Sequence, residues 1–152
     1  MRESFTIKEE DTMGIRQLSV FVENKKGSLH EITDTLAKAG IDLRSMCIAD
    51  TSDYGIVRMI TRDPEAAKRV LEEAGQVANI RTVTAFAVPD CPGGLAQVLS
   101  ILEKEGVDIE YLYALVTSCP DKAYAVMRTG NREKAEDILA KAGIELLDEK
   151  DI

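Results

Sequence analysis

Asn24-Lys25-Lys26-Gly27-Ser28-Leu29 returns sixty-six positions later as Asp90-Cys91-Pro92-Gly93-Gly94-Leu95, and the reading of this pair decides the rest. Each copy follows a short alternating apolar run and opens a stretch of helical periodicity. Each is therefore a strand-to-helix turn whose glycine lets another group come close to the backbone. Unbonded amides at such a helix start attract anions, carboxylates included. The two turns are the candidate small-molecule sites.

Moving outward, the same offset lays Leu36 on Leu102, Lys38 on Lys104, Gly40 on Gly106 and Asp42 on Asp108. Past a two-residue insertion near Cys119 the offset becomes sixty-eight, pairing Met59 with Met127, Thr61 with Thr129, Ala67 with Ala135, Leu71 with Leu139 and Ala74-Gly75 with Ala142-Gly143. Chance likeness between two amphipathic helices does not bring the flanking glycines and aspartates into register. A duplication does.

Periodicity within each copy alternates in a fixed order. Leu18, Val20 and Val22 alternate with Gln17, Ser19 and Phe21 in a first strand ending at Glu23. The helix that follows carries the stripe Leu29, Ile32, Leu36 and Ala39, has Ser28 and Glu31 at capping-box spacing, and closes at Gly40. Residues 41–50 read as strand, 51–53 as turn and 54–61 as the antiparallel partner. Asp63-Pro64 supplies a cap and a first-turn proline for a helix through Ala67, Val70, Leu71 and Ala74, closed by Gly75, and residues 77–82 form the fourth strand. The second copy reads as strand 84–88, helix 93–105, strands 107–118 and 122–129, helix 132–142 and strand 144–147. The fold class is α+β: two βαββαβ ferredoxin-like units in tandem, each an antiparallel sheet with helices on one face. The boundaries are a tail over 1–13 and units over 14–82 and 83–152. With no linker at Thr82-Val83-Thr84, the units are expected to move as one rigid body. The helix-free faces, to which Phe86, Ala123, Ala125 and Ile56 are assigned, need cover from another sheet, within the chain or from a second one.

Composition narrows the function. The net charge of -8 opposes phosphate backbones and anionic lipid surfaces, so neither nucleic acid nor membrane is an expected partner. Cys47, Cys91 and Cys119 are scattered, odd in number and without a Cys-x-x-Cys, which fits a reducing cytoplasm and no metal site. The first ten residues are too polar for a secretory signal, and no apolar run reaches the length of a membrane span.

A strand, an Asn/Asp-x-x-Gly-x-Leu turn, a helix, a Gly-hydrophobic-Asp step and a ferredoxin-like remainder, all present twice over about residues 14–148, resemble the ACT domain, the amino-acid-binding regulatory module. The tandem resembles stand-alone two-ACT proteins. Asp90-Cys91-Pro92-Gly93-Gly94-Leu95 matches the family's Asp-x-Pro-Gly-x-Leu pattern, whereas the first turn has Lys26 where proline is usual, which adds a backbone N–H and a charge. The resemblance implies ligand binding between two units, with the turn of one and the start of the second strand of its neighbour contributing. The positions are Asn24, Lys26, Gly27, Ser28 and Leu29 with Asp42, and Asp90, Cys91, Gly93, Gly94 and Leu95 with Asp108. An amino-acid zwitterion suits them: its carboxylate meets the amides of 27–29 or 93–95, and its ammonium meets Asn24 or Asp90 and an aspartate. The alternative use of Asn24 and Asp90 is to cap helices.

Among other residues, His30 lacks partners for a triad or a metal and reads as a solvated first-turn residue. Cys91 sits at a helix start, where a thiol pKa can fall, but an ordinary loop cysteine is the simpler reading. Met59 and Met127 read as core filler. Tyr111, Tyr113 and Tyr124 serve either an interface or a ligand-pocket wall. The leading expectation is a non-catalytic amino-acid sensor, without cofactor, assembled as a homodimer or larger, whose regulated enzyme or other target lies in another chain. The alternative is a small acylphosphatase-like hydrolase, which would want an arginine in its phosphate loop. A ferredoxin-like RNA-binding or metal-carrier module lacks its basic aromatic sheet and its Cys-x-x-Cys.

Overall fold

A computed structural model describes residues 13–50, 52–116 and 119–152. The expected N-terminal tail lies outside them but for Met13, as do Thr51 of the first hairpin turn and residues 117–118 of the second. The first unit runs β1 (Ile15–Glu23), α1 (Ser28–Lys38), β2 (Leu43–Asp50), β3 (Tyr54–Thr61), α2 (Pro64–Glu73) and the first half of β4 (Val77–Pro89). The second uses the rest of β4, then α3 (Gly94–Lys104), β5 (Ile109–Leu115), β6 (Lys122–Thr129), α4 (Arg132–Lys141), β7 (Leu146–Leu147) and a 3-10 turn over Glu149–Asp151. The second strand of each unit and the last strand start about two residues later than the periodicity predicts, and β5 ends at Leu115.

The strands follow the order β2-β3-β1-β4-β6-β5, with β7 also on β4 and every ladder between them antiparallel. β4 is therefore one 13-residue strand where two were expected in sequence. Up to Val83 it pairs with β1 as the edge of the first sheet. From Thr84 onward it pairs with β6, and at Ala85 and Phe86 also with β7, as an inner strand of the second.

Each helix pair covers one face of its sheet with residues matched by the repeat. Ile32 and Leu36 of α1 correspond to Val98 and Leu102 of α3, and Ala67 and Leu71 of α2 to Ala135 and Leu139 of α4; all eight are buried. Leu29, at the head of the first stripe, stays exposed. The α2 cap forms as predicted, Asp63 accepting from the Ala66 amide at 3.0 Å with Pro64 in the first turn. Gly40 and Gly75 close their helices at φ +70° and +84°, where a Cβ is strained.

The two helix-free faces close on each other within the chain. Ile15, Ile60, Val83, Tyr113, Val126 and Leu147 form the core between the sheets. Phe86, Ala123 and Ala125 are not on that face, contrary to expectation: they pack with Val98, Leu102 and Leu139 under the helices. Strand alternation separates two faces without saying which is which. Tyr111 and Tyr113 meet the first sheet: Gln17, fully buried on β1, accepts from Tyr113 Oη at 2.7 Å and donates to Tyr111 Oη at 2.8 Å. Ser45 donates to the Ala114 carbonyl at 2.5 Å.

Candidate functional site

The two turns are built by the same bonds. Asn24 and Asp90 donate main-chain N–H groups to the carbonyls of Asp53 and Asp121, at 3.0 and 3.2 Å, which ties each turn to the neighbouring hairpin. Lys25 and Cys91 amides reach back to Glu23 and Pro89, and Ser28 and Gly94 amides to Lys25 and Cys91. Helix bonding begins at Glu31 and Gln97, which donate to Gly27 and Gly93 at 2.9 and 3.0 Å. Gly27 and Gly93 occupy the N-cap positions at φ +91° and +85°, a left-handed geometry that glycine adopts without strain.

This local geometry corrects two expectations. No capping box forms at Ser28 and Glu31, because the left-handed Gly27 is the N-cap and Ser28 is already helical. The middle amide of each triplet, that of Ser28 or Gly94, is taken by the turn itself, so among the described residues the donors left without a main-chain acceptor are those of Gly27, Leu29 and His30, with Lys26 in addition, and of Gly93, Leu95 and Ala96. At Gly94 the fit is tighter than at Ser28: a Cβ there would overlap the Pro89 carbonyl oxygen. Asn24 and Asp90 do not cap through their side chains, and both are exposed. Among the described residues, neither side chain has a hydrogen bond or ion pair.

Each turn carries an exposed leucine beside its open donors, Leu29 at 37% and Leu95 at 38%, so the two copies present the same mixed polar and apolar surface. The first turn also flanks a cleft of about 560 Å³ whose walls include Lys25, Ser28, Glu31, Tyr54 and Gln76. Lys25 is held by Glu23 at 2.9 Å, a bond that raises its ammonium above the ordinary lysine value. Lys26 and Cys91 are exposed, as is His30.

The turns do not meet. The first lies beside Val77, at the start of β4, and the second follows Pro89 at its end, which sets them roughly 40 Å apart along the strand. Asp42 and Asp108 follow the C-terminal ends of α1 and α3, each about 16 Å of helix from the turn of its own unit. Asp42 pairs with Arg44 at 3.7 Å. Among the described residues no hydrogen bond or ion pair links either aspartate to a turn.

A family model described as an ACT domain pair matches residues 13–152. The chain belongs to the ACT domain pair family. This ACT pair is similar to protein BT0572 from Bacteroides thetaiotaomicron, with 41% identity, a TM-score of 0.82, and 89% of this chain and 92% of that one covered. It also shares its fold with the regulatory subunit of aspartate kinase from Thermus thermophilus in its ligand-free form, at 15% identity and a TM-score of 0.60 over 86% and 93% of the two chains. The corresponding Thermus flavus subunit gives 19% identity and 0.56 over 86% and 94%. No curated protein matches the chain.

Sequence reading missed one part of the ACT pair, the polar seam between its sheets. Gln17 lies in the alternating run of β1 on the side opposite Leu18 and Val20, which is a signal for a sheet face, but only the packing of the second sheet brings Tyr111 and Tyr113 to it. Burial pushes the Tyr113 phenol well above its usual value, so it stays a hydrogen-bond donor across the working pH range. Among the described residues, no group of histidine, cysteine and carboxylate side chains could hold a metal, and no helix is long and apolar enough to cross a membrane.

Proposed function

We propose that this ACT pair is a non-catalytic regulator that binds a free amino acid at its two strand-to-helix turns, each completed by the surface of a neighbouring unit in a homodimer or higher assembly. One observation carries the reading. Among the described residues both turns repeat the same main-chain bonds, leave the same three amides open beside an Asn24 or Asp90 side chain without a hydrogen bond, and expose the same leucine. Open amides at a helix start suit a carboxylate, and the Asn or Asp side chain suits an ammonium. The distance between the turns supports an assembly, since one ligand cannot bridge both within a chain. The regulatory subunits that share the fold support the regulatory half of the reading. The three free thiols accord with a reducing cytoplasm. The acylphosphatase-like alternative finds no support: neither turn carries an arginine, and Lys25 is engaged by Glu23.

Thermal-shift screening against the twenty amino acids tests this directly. A ligand at one hundred times its Kd stabilises the protein by about 2.7 kcal/mol, which at about 2–4 °C per kcal/mol for a chain of this size is a rise of about 5–11 °C. Asp90→Ala is expected to remove more of that rise than His30→Ala. No shift from any amino acid at millimolar concentration would refute the proposal, and a greater loss from His30→Ala would move the site.

A further inference from the structure

The sheets that close around Gln17 part toward the far end of β1, leaving Phe21 at 57% and Val77 at 67% exposed, with Asn79 and Arg81 exposed on the same face. In the resulting cleft of about 270 Å³, Phe21 and Ile56 form an apolar floor, and Arg58, Arg81 and Arg128 reach it from three different strands. This is three of the nine arginines in a chain with a net charge of -8.

The register explains the convergence. On the first sheet, Ser19 of β1 lies opposite Arg58 on β3, and Gln17 lies opposite Arg81 on β4, so the two arginines flank β1 on the same face. On the second sheet, Arg128 is the cross-strand partner of Tyr111, which forms the opposing wall. Arg58 lies 3.8 Å from the centre of the Tyr111 ring, whose hydroxyl is fixed by Gln17, so its guanidinium is held in place before anything binds. Its Nε is buried and has no acceptor among the described residues. Arg128 is shared with Glu110 at 2.8 Å. Among the described residues, Arg81 has no carboxylate partner. The cleft thus has more guanidinium than carboxylate, beside apolar surface and the side chains of Ser19 and Asn79.

We propose that this cleft, which adjoins the first-turn cleft at Phe21 and Val77 but uses no residue of either turn, is a second binding site for a small organic anion that places a carboxylate or phosphate among Arg58, Arg81 and Arg128 and an apolar body against Phe21 and Ile56. A guanidinium presents a planar fork of donors that matches both oxyanions. The volume suits a molecule smaller than a nucleotide.

The experiment is calorimetric titration of the intact chain with benzoate, phenyl phosphate and inorganic phosphate at constant ionic strength. Benzoate or phenyl phosphate is expected to bind more tightly than inorganic phosphate, and the better of the two names the oxyanion. Arg81→Gln, an exposed position, and Arg128→Gln are each expected to weaken that binding at least tenfold, while Asn24→Ala at the adjoining first turn and Asp90→Ala at the second leave it unchanged; this separates the site from the amino-acid reading. Absence of binding by all three probes at millimolar concentration overturns the proposal. So does undiminished binding in both arginine variants, or a change of oligomeric mass in Arg81→Gln, which would make the cleft a contact between chains.

Discussion

Replacing Gln17 with leucine tests the seam that holds the two sheets together. The glutamine is fully buried and serves both tyrosines: it accepts from Tyr113 at 2.7 Å and donates to Tyr111 at 2.8 Å and to Ser19 Oγ at 3.2 Å. Leucine keeps the volume but leaves the buried Tyr113 hydroxyl without an acceptor, at a cost of about 1–3 kcal/mol, and the lost bond to the half-exposed Tyr111 adds about 1 kcal/mol. The expected destabilisation is therefore about 2–4 kcal/mol, or a fall in Tm of about 4–16 °C. The chain has no tryptophan, so urea unfolding followed by far-UV circular dichroism is the assay. Adding Tyr113→Phe removes the orphaned hydroxyl and should restore at least about 1 kcal/mol of the loss, since replacing both partners of a buried bond costs much less than replacing one. A Gln17→Leu variant within about 0.5 kcal/mol of the parent, or a double variant no more stable than Gln17→Leu alone, would refute the reasoning, because surface substitutions already fall in that range.

Two further outcomes follow from the turns and the C-terminus. Gly94→Ala should destabilise the chain more than Gly93→Ala in the same urea assay: alanine at 93 pays only the left-handed penalty of about 1–2 kcal/mol, whereas a Cβ at 94 runs into the Pro89 carbonyl and forces the turn open. Glu149, hydrogen-bonded by the Arg16 side chain at 2.5 and 2.7 Å and by its amide at 3.0 Å, has its carboxyl held below the ordinary glutamate value. Its contribution to stability is therefore complete above the unfolded glutamate pKa and is lost as pH falls through the depressed folded value. Glu149→Gln should lower stability at neutral pH and flatten its decline in acid, measured as Tm against pH; a decline as steep as the parent's would show that the pair with Arg16 does not contribute.

How much of this was legible in the chain depended on whether the information was local. The bounds of β3 and β6 follow from turn residues and alternation, and the α2 cap from Asp63-Pro64. The doubled fold was legible because a duplication writes each contact twice, as with Leu36 and Leu102. The same device could have placed Phe86 under the helices, since it corresponds to Val20, which lies in the first helix-side core. The Ser28 and Glu31 spacing misled because it is a signature of side-chain capping, whereas a left-handed glycine at the N-cap shifts the helix start by one residue. The arginine cleft was not legible at all: Arg58, Arg81 and Arg128 lie on three strands of two sheets, and their meeting depends on how those sheets splay.

The strand shared by both units limits what either half can do alone. Severing the chain between Val83 and Thr84 would keep every ladder of each unit but leave both fragments with a bare sheet face, each exposing apolar surface that its twin now hides. The halves are therefore each other's cover, and β4 gives the two ends of the pair one unbroken run of backbone.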